Sequence, residues 1–153
     1  MNEGMFTSDR QDWETPQRFF DKLDEVYRFT LDVCATTKNT KCPKFFTPEV
    51  DGLAQDWSGE TWWCNPPYGR EIGRWMEKCY LETKGGDSIG MALIPVRTDT
   101  KWWHDWVMRA YSIGFIRGRL KFVGGSSSAP FPSAIVFWGK HNLLEPRIFS
   151  MER

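Results

Sequence analysis

At 153 residues, with 41% hydrophobic and 26% charged side chains, the chain has the size and composition of one soluble domain around a single core. Its 20 basic and 20 acidic residues cancel, which excludes a broadly basic nucleic-acid coat, so any phosphate contact must come from a local patch. The N-terminus MNEGMFTSDRQDWETP lacks the apolar core of a signal peptide and no apolar run reaches membrane-spanning length, so the expectation is a cytoplasmic protein with no membrane partner.

Residues 1–12 are polar and are expected to be flexible. TPQRFFDKLDEVYRF (15–29) reads as a helix, with Thr15 as cap, Pro16 in the first turn and Phe19, Phe20, Leu23, Val26 and Tyr27 on one face. TLDVCA (30–35) is a short buried strand. The polar stretch 36–60 that follows is long for a compact domain, and such connections are usually functional or partly helical. TWWC (61–64) reads as a strand and REIGRWMEKCYLET (70–83) as an amphipathic helix stopped by KGGD. SIGMALIPV (88–96) is the near-continuous apolar run of a strand buried on both faces.

DTKWWHDWVMRAY (99–111) is a further helix, with Asp99 or Thr100 as cap and His104 in a structural role. SIGFIRGRLKF (112–122) is a strand, VGGSSSAPFP (123–132) a loop and SAIVFW (133–138) a last core strand, while His141 and the tail beyond Gly139 carry no signal. Strands alternating with helices predict an α/β fold whose sheet is mostly parallel, with antiparallel strands at the C-terminal end. The four cysteines show no metal-ligand spacing, so no metal site is expected and free thiols are.

The chemistry concentrates in NPPY, Asn65-Pro66-Pro67-Tyr68, directly after the strand TWWC. In an open parallel sheet, ligands bind beyond the carboxyl ends of the strands. Two prolines stiffen the backbone and remove two N–H donors. The Asn65 amide oxygen and the Pro66 carbonyl then form a pair of acceptors matched to the two hydrogens of an exocyclic amine, with Tyr68 able to stack on the ring that bears it. A rigid loop with an incidental asparagine is the plainer alternative.

NPPY resembles the catalytic tetrapeptide of amino-methyltransferases, whose asparagine form is shared among enzymes acting on adenine, guanine and protein glutamine. DWETPQRFFDKL (12–23), LDVCAT (31–36), DGLAQDW (51–57), WWCNPPYG (62–69), IPVRTDTKWWHDW (94–106) and GRLKF…APFPSAIVFW (118–138) occur in that order. Together they resemble the small phage-type DNA adenine-N6-methyltransferase (Dam-like) family over nearly the whole chain.

The resemblance implies a minimal Rossmann-like fold in which 13–153 form one catalytic domain without a separate target-recognition domain. It implies S-adenosylmethionine as methyl donor, DNA as partner and adenine N6 as acceptor, with base flipping into the NPPY pocket. Thr15 and Pro16 would present a helix N-terminus to the cofactor carboxylate. Asp32 would attract its ammonium, Asp56 would bond its adenine and Trp57 would pack on that ring. Cys34 and Ala35 stand where the family's glycines normally follow the cofactor strand. Asp51 reads equally as a turn residue, and Phe131 as a second pocket wall or a loop anchor.

For DNA, Arg70, Arg74 and Lys78 recur at i, i+4, i+8 behind NPPY, and Arg117, Arg119 and Lys121 alternate along the predicted strand. Solvated faces are the alternative reading of both stripes. A glutamine- or guanine-amino methyltransferase, or an inactive DNA-binding relative, remain the rival functions.

Overall fold

The computed structural model describes residues 11–125, 127–139 and 145–153; most of the segment 1–12 and His141 lie outside the described residues. A single six-stranded sheet has the order β1-β2-β3-β5-β4-β6. Its strands are β1 (Leu31–Asp32), β2 (Thr61–Cys64), β3 (Ile89–Pro95), β4 (Ser112–Ile116), β5 (Ser133–Trp138) and β6 (Arg147–Met151). The pairs β1/β2, β2/β3 and β4/β6 are parallel, and β5 runs against both its neighbours. The architecture is therefore the expected α/β class with a mostly parallel sheet.

Helices cover both faces of the sheet. The helix α1 (Gln17–Tyr27) packs Phe19 and Phe20 with Phe29, Trp63, Met91, Leu93 and Ile135 on one side. The helices α2 (Ile72–Lys84) and α3 (Lys101–Asp105) cover the other, where Trp75, Met76 and Trp103 meet Leu31, Trp62, Ala92 and Val136. Because side chains alternate across a strand, adjacent Trp62 and Trp63 enter opposite cores, which explains a paired tryptophan in a four-residue strand.

Several elements differ from expectation for local reasons. α1 begins at Gln17 with Pro16 as its cap and no side-chain cap bond, because Thr15 is used elsewhere. Val26 is 72% exposed rather than on the core face. The predicted helix 99–111 ends at Asp105, where Trp106 leaves helical angles, and a single 3₁₀ turn over Val107–Arg109 follows. Thr100 does cap it, accepting from the Trp103 N–H at 3.3 Å, and His104 bonds the Thr98 carbonyl at 2.7 Å.

The predicted strand 112–122 stops at Ile116, and the chain turns at Gly118, whose φ of 76° suits glycine. Arg117, Arg119 and Lys121 therefore do not share a strand face. The strand β6 had no sequence signal: four of its five residues are exposed. The long connection 36–60 is ordered in part by a parallel bridge to β1, with Asp32 N–H bonded to the Lys44 carbonyl (3.0 Å) and Phe46 N–H to the Asp32 carbonyl (2.9 Å).

Candidate active site

Just past the carboxyl ends of β1 and β2 lies a cavity of about 290 Å³. Asp32, Cys34 and Ala35 reach it from β1, Asn65, Pro66 and Pro67 from β2, and Thr15 from the segment before α1. Seven residues singled out in the sequence thus meet in one place. Pro16 instead lies on a neighbouring groove.

The segment 11–15 acts as a strap across NPPY. The Gln11 carbonyl accepts from the Tyr68 N–H at 2.9 Å, which shows that the end of the supposedly flexible 1–12 segment is held. The Asn65 amide Nδ2 donates to the Trp13 carbonyl at 2.5 Å and to the Thr15 hydroxyl at 3.0 Å. Two acceptors around one nitrogen fix which end of the carboxamide is which. The opposite end, Oδ1, is buried and has no hydrogen-bond partner among the described residues. A buried acceptor left without a partner costs roughly 1–3 kcal/mol, so it marks a place where an incoming N–H is favoured.

Thr15, itself 1% exposed, thus bonds the Asn65 side chain and does not cap the helix. Thr15→Val is expected to lower kcat roughly tenfold, the worth of one such hydrogen bond, and Thr15→Ser to restore it. Steady-state kinetics with the methyl donor and DNA varied separately checks this; equal losses in Val and Ser variants would remove Thr15 from the site.

Asp32 is 3% exposed, and its carboxylate accepts from the backbone N–H of Lys41 (2.9 Å) and of Cys34 (3.3 Å). Burial nevertheless pushes its pKa up to about 6, outweighing those two bonds. A buried acid that is costly to ionise and faces a cavity suits a cationic ligand group. Burial likewise pushes the Cys34 thiol up to about 12, so it is a neutral wall rather than a nucleophile.

The structure does not bring the other predicted contacts here. Asp56 is an exposed turn residue, bonded by the Ser58 N–H (2.9 Å) and hydroxyl (2.5 Å). Trp57 is fully buried, its indole N–H donating to the Gly52 carbonyl at 2.9 Å and its ring tilted against Trp62 and stacked near Trp75. Both belong to the packing of the 51–57 turn, in which Asp51 accepts from the Leu53 N–H at 3.1 Å. The Tyr68 hydroxyl donates to the Leu93 carbonyl at 2.8 Å, burial raises its pKa, and its ring meets Phe122 and Phe131 edge-on. Phe131 is a buried anchor for Trp13 and Tyr68 and does not line the cavity.

Sequence reasoning missed Trp13, Asn39 and Lys41, which also line the cavity. The unusual length of the 36–60 connection was the available signal for the last two.

The basic stripes fare unequally. Arg74 pairs with Glu71 at 2.6 Å and Lys78 with Glu82, while the Lys78 ammonium also donates to the Gln55 carbonyl at 2.6 Å. Arg70 is exposed, and Arg117 lies 3.9 Å from Glu152. Arg119 reaches the Ala129 carbonyl at 3.4 Å.

An α/β sheet with helices on both faces, an acid at the end of its first strand and NPPY at the end of the second is consistent with the class of amino-methyltransferases that the motif resembles. Residues 4–149 match the family described as DNA N-6-adenine-methyltransferase (Dam), and the chain belongs to that family. A DNA N-6-adenine-methyltransferase of Haemophilus phage HP1 (strain HP1c1) is 32% identical over 123 residues, covering 78% of this chain and 70% of that protein. One of Escherichia phage T1 is 27% identical over 132 residues, covering 75% of this chain and 55% of that protein, little more than half its length. Family membership implies a methyl donor and a DNA substrate. Among the described residues no helix is long and apolar enough to cross a membrane.

Proposed function

We propose that this chain transfers a methyl group from S-adenosylmethionine to the exocyclic N6 of adenine in DNA. The observation that carries the reading is the buried, unpartnered Asn65 Oδ1 at the wall of the cavity, in a chain of the Dam family. When bound, the cofactor supplies an electrophilic methyl on a sulfonium sulfur.

The amino nitrogen of adenine is a weak nucleophile because its lone pair is delocalised into the ring. Asn65 Oδ1 and the Pro66 carbonyl accept its two hydrogens and draw the nitrogen towards tetrahedral geometry, freeing the lone pair. No strong base is needed at the outset: the methyl's bond to sulfur would break as its bond to nitrogen forms, leaving a neutral thioether, and the N–H proton, acidic only from then on, would be lost to solvent. Fixed dipoles aimed at developing charge do the rest. Reaching N6 in a duplex requires flipping the base, at a cost of a few kcal/mol that is offset by contacts in the pocket.

Asp32 would hold the cofactor ammonium. Its pKa of about 6 lies above the ordinary 3.8, so the folded state prefers the neutral acid. That preference favours folding below pH 3.8 and is lost as pH rises through 6, leaving the cofactor-free protein strained above pH 6 by about 3 kcal/mol. Asp32→Asn is therefore expected to stabilise the free protein at pH 7.5, by about 1–3 kcal/mol, and to change little at pH 3.5. The same variant would bind S-adenosylmethionine more weakly. Urea unfolding at both pH values, with calorimetric titration of the cofactor, checks both halves. A variant less stable at pH 7.5 and unaltered in cofactor affinity would refute the role.

The function itself is tested by incubating the protein with methyl-labelled S-adenosylmethionine and unmethylated DNA, RNA or cell protein, then digesting and identifying the product. Label in N6-methyladenine is expected. Label in guanine or protein glutamine would move the chain to another acceptor.

A further inference from the structure

A second groove, of about 330 Å³, is floored by Phe19 and Leu120 and ringed by Arg18, Lys22, Lys121 and Arg153. No Asp or Glu is among the described residues that line it. The four cations come from three separate parts of the chain: the first two turns of α1, the segment after β4 and the C-terminal residue. In a chain whose net charge is zero, that convergence is a local field of one sign.

The charge is also unspent. Among the described residues Arg18, Lys22 and Lys121 form no ion pair, and Arg153 donates to the Arg119 carbonyl at 3.2 Å. Arg74 and Lys78, by contrast, face Glu71 and Glu82. Of the three acids on α1, Asp21 accepts from the Gln17 amide (2.8 Å) and Asp24 from the Phe29 N–H (2.8 Å), and Glu25 lies outside the groove lining. Arg18 and Lys22 sit one turn apart, where like charges repel, and the first turn of α1 has no acidic residue to offset them.

Lining residues of the groove and of the catalytic cavity are close neighbours along the chain. Pro16 follows Thr15, Lys121 precedes Val123 by two residues, and Thr15 and Val123 both line the cavity. The Val123 N–H bonds the Glu14 carbonyl at 3.0 Å, which ties together the two segments that lead from the cavity to the groove. A strand whose base has swung into the cavity must leave its flanking phosphates close by.

We propose that this groove seats the backbone phosphates of the DNA strand that carries the flipped adenine, with Arg18 and Lys22 as the main contacts and Lys121 and Arg153 closing it. The proposal rests on the function given above. Phosphate contacts position a duplex without reading its sequence, so they set affinity and its salt dependence rather than target choice.

The test is the double variant Arg18→Glu/Lys22→Glu, with exposed Lys84→Glu, on the far end of α2, as the control. Its KM for duplex DNA should rise roughly tenfold at moderate salt, with kcat at saturating DNA and the KM for S-adenosylmethionine within about twofold. The slope of log affinity against log salt, read by fluorescence anisotropy of the same duplex, should fall by about 2, near 0.9 for each phosphate no longer neutralised. The exchange Arg18→Lys/Lys22→Arg should keep both values close to wild type.

An unchanged DNA KM and salt slope would overturn the groove, as would weakened binding of RNA with duplex binding intact. Failure of the function is separate: a wild-type protein that methylates no adenine sinks the activity, while the anisotropy slope still decides the groove.

Discussion

Asn65→Ala is expected to lower kcat for methyl transfer about 10³-fold, while S-adenosylmethionine still binds with an affinity within about threefold of wild type. Alanine removes a buried acceptor that has no partner among the described residues, so the amino nitrogen loses the group that pulls it out of conjugation. Single-turnover transfer of labelled methyl, alongside calorimetric titration of the cofactor, separates chemistry from binding. Turnover within tenfold of wild type would take Asn65 out of the mechanism.

Asn65→Asp is not a gentle change here. Nδ2 lies 2.5 Å from the Trp13 carbonyl, and a carboxylate oxygen in its place would set two acceptors against each other. The Thr15 hydroxyl can rotate to donate to that oxygen, so this variant should fall between wild type and alanine. The strap thus explains why this site carries asparagine: one end of the amide is needed to hold the loop, the other to hold the substrate.

Gly90→Ala is expected to destabilise the fold by about 3 kcal/mol, lowering Tm by roughly 6–12 °C. Gly90 on β3 is registered against Trp62 on β2, and the indole ring lies across it. A methyl group there would come within 2.0 Å of the ring. Trp62 is fully buried and its indole N–H donates to the Ser88 hydroxyl at 3.2 Å, so it has no room to retreat. Since β2 leads directly into Asn65, a displaced Trp62 would also disturb the cavity. Thermal unfolding checks the size of the effect, and a Tm within 2 °C, about the uncertainty of such a comparison, would show that the strands part without cost.

Local signals carried most of what the sequence revealed. A Pro-Pro step after an apolar strand can only be a turn at the strand's end, so the position of Asn65 was legible without any tertiary knowledge. The strand that carries Asp32 was legible as a short apolar run, whereas Asp32 itself was singled out only by the family resemblance. The strands β2, β3 and β5 are mostly apolar and were recognised within a residue of their ends.

What depended on distant contacts was not legible. Asp56 and Trp57 lie in a turn between β1 and β2, yet Trp57 is drawn into the core by Trp62, Trp75 and the Gly52 carbonyl. The alternation of Arg117, Arg119 and Lys121 looked like a strand face because the turn at Gly118 leaves the apolar pattern intact on either side. The strand β6 exists through pairing with β4, and its own residues are mostly exposed. The strap over NPPY could not be foreseen either: a link from Trp13 to Asn65 spans 52 positions and uses a backbone carbonyl.

A crystal structure of the protein with duplex DNA and a non-transferring analogue of S-adenosylmethionine tests the amide grip most directly. The account predicts an adenine rotated out of the helix, its N6 within about 3.2 Å of both Asn65 Oδ1 and the Pro66 carbonyl. An adenine held in the pocket with N6 bonded to other groups, and Asn65 Oδ1 turned away from it, would contradict the account.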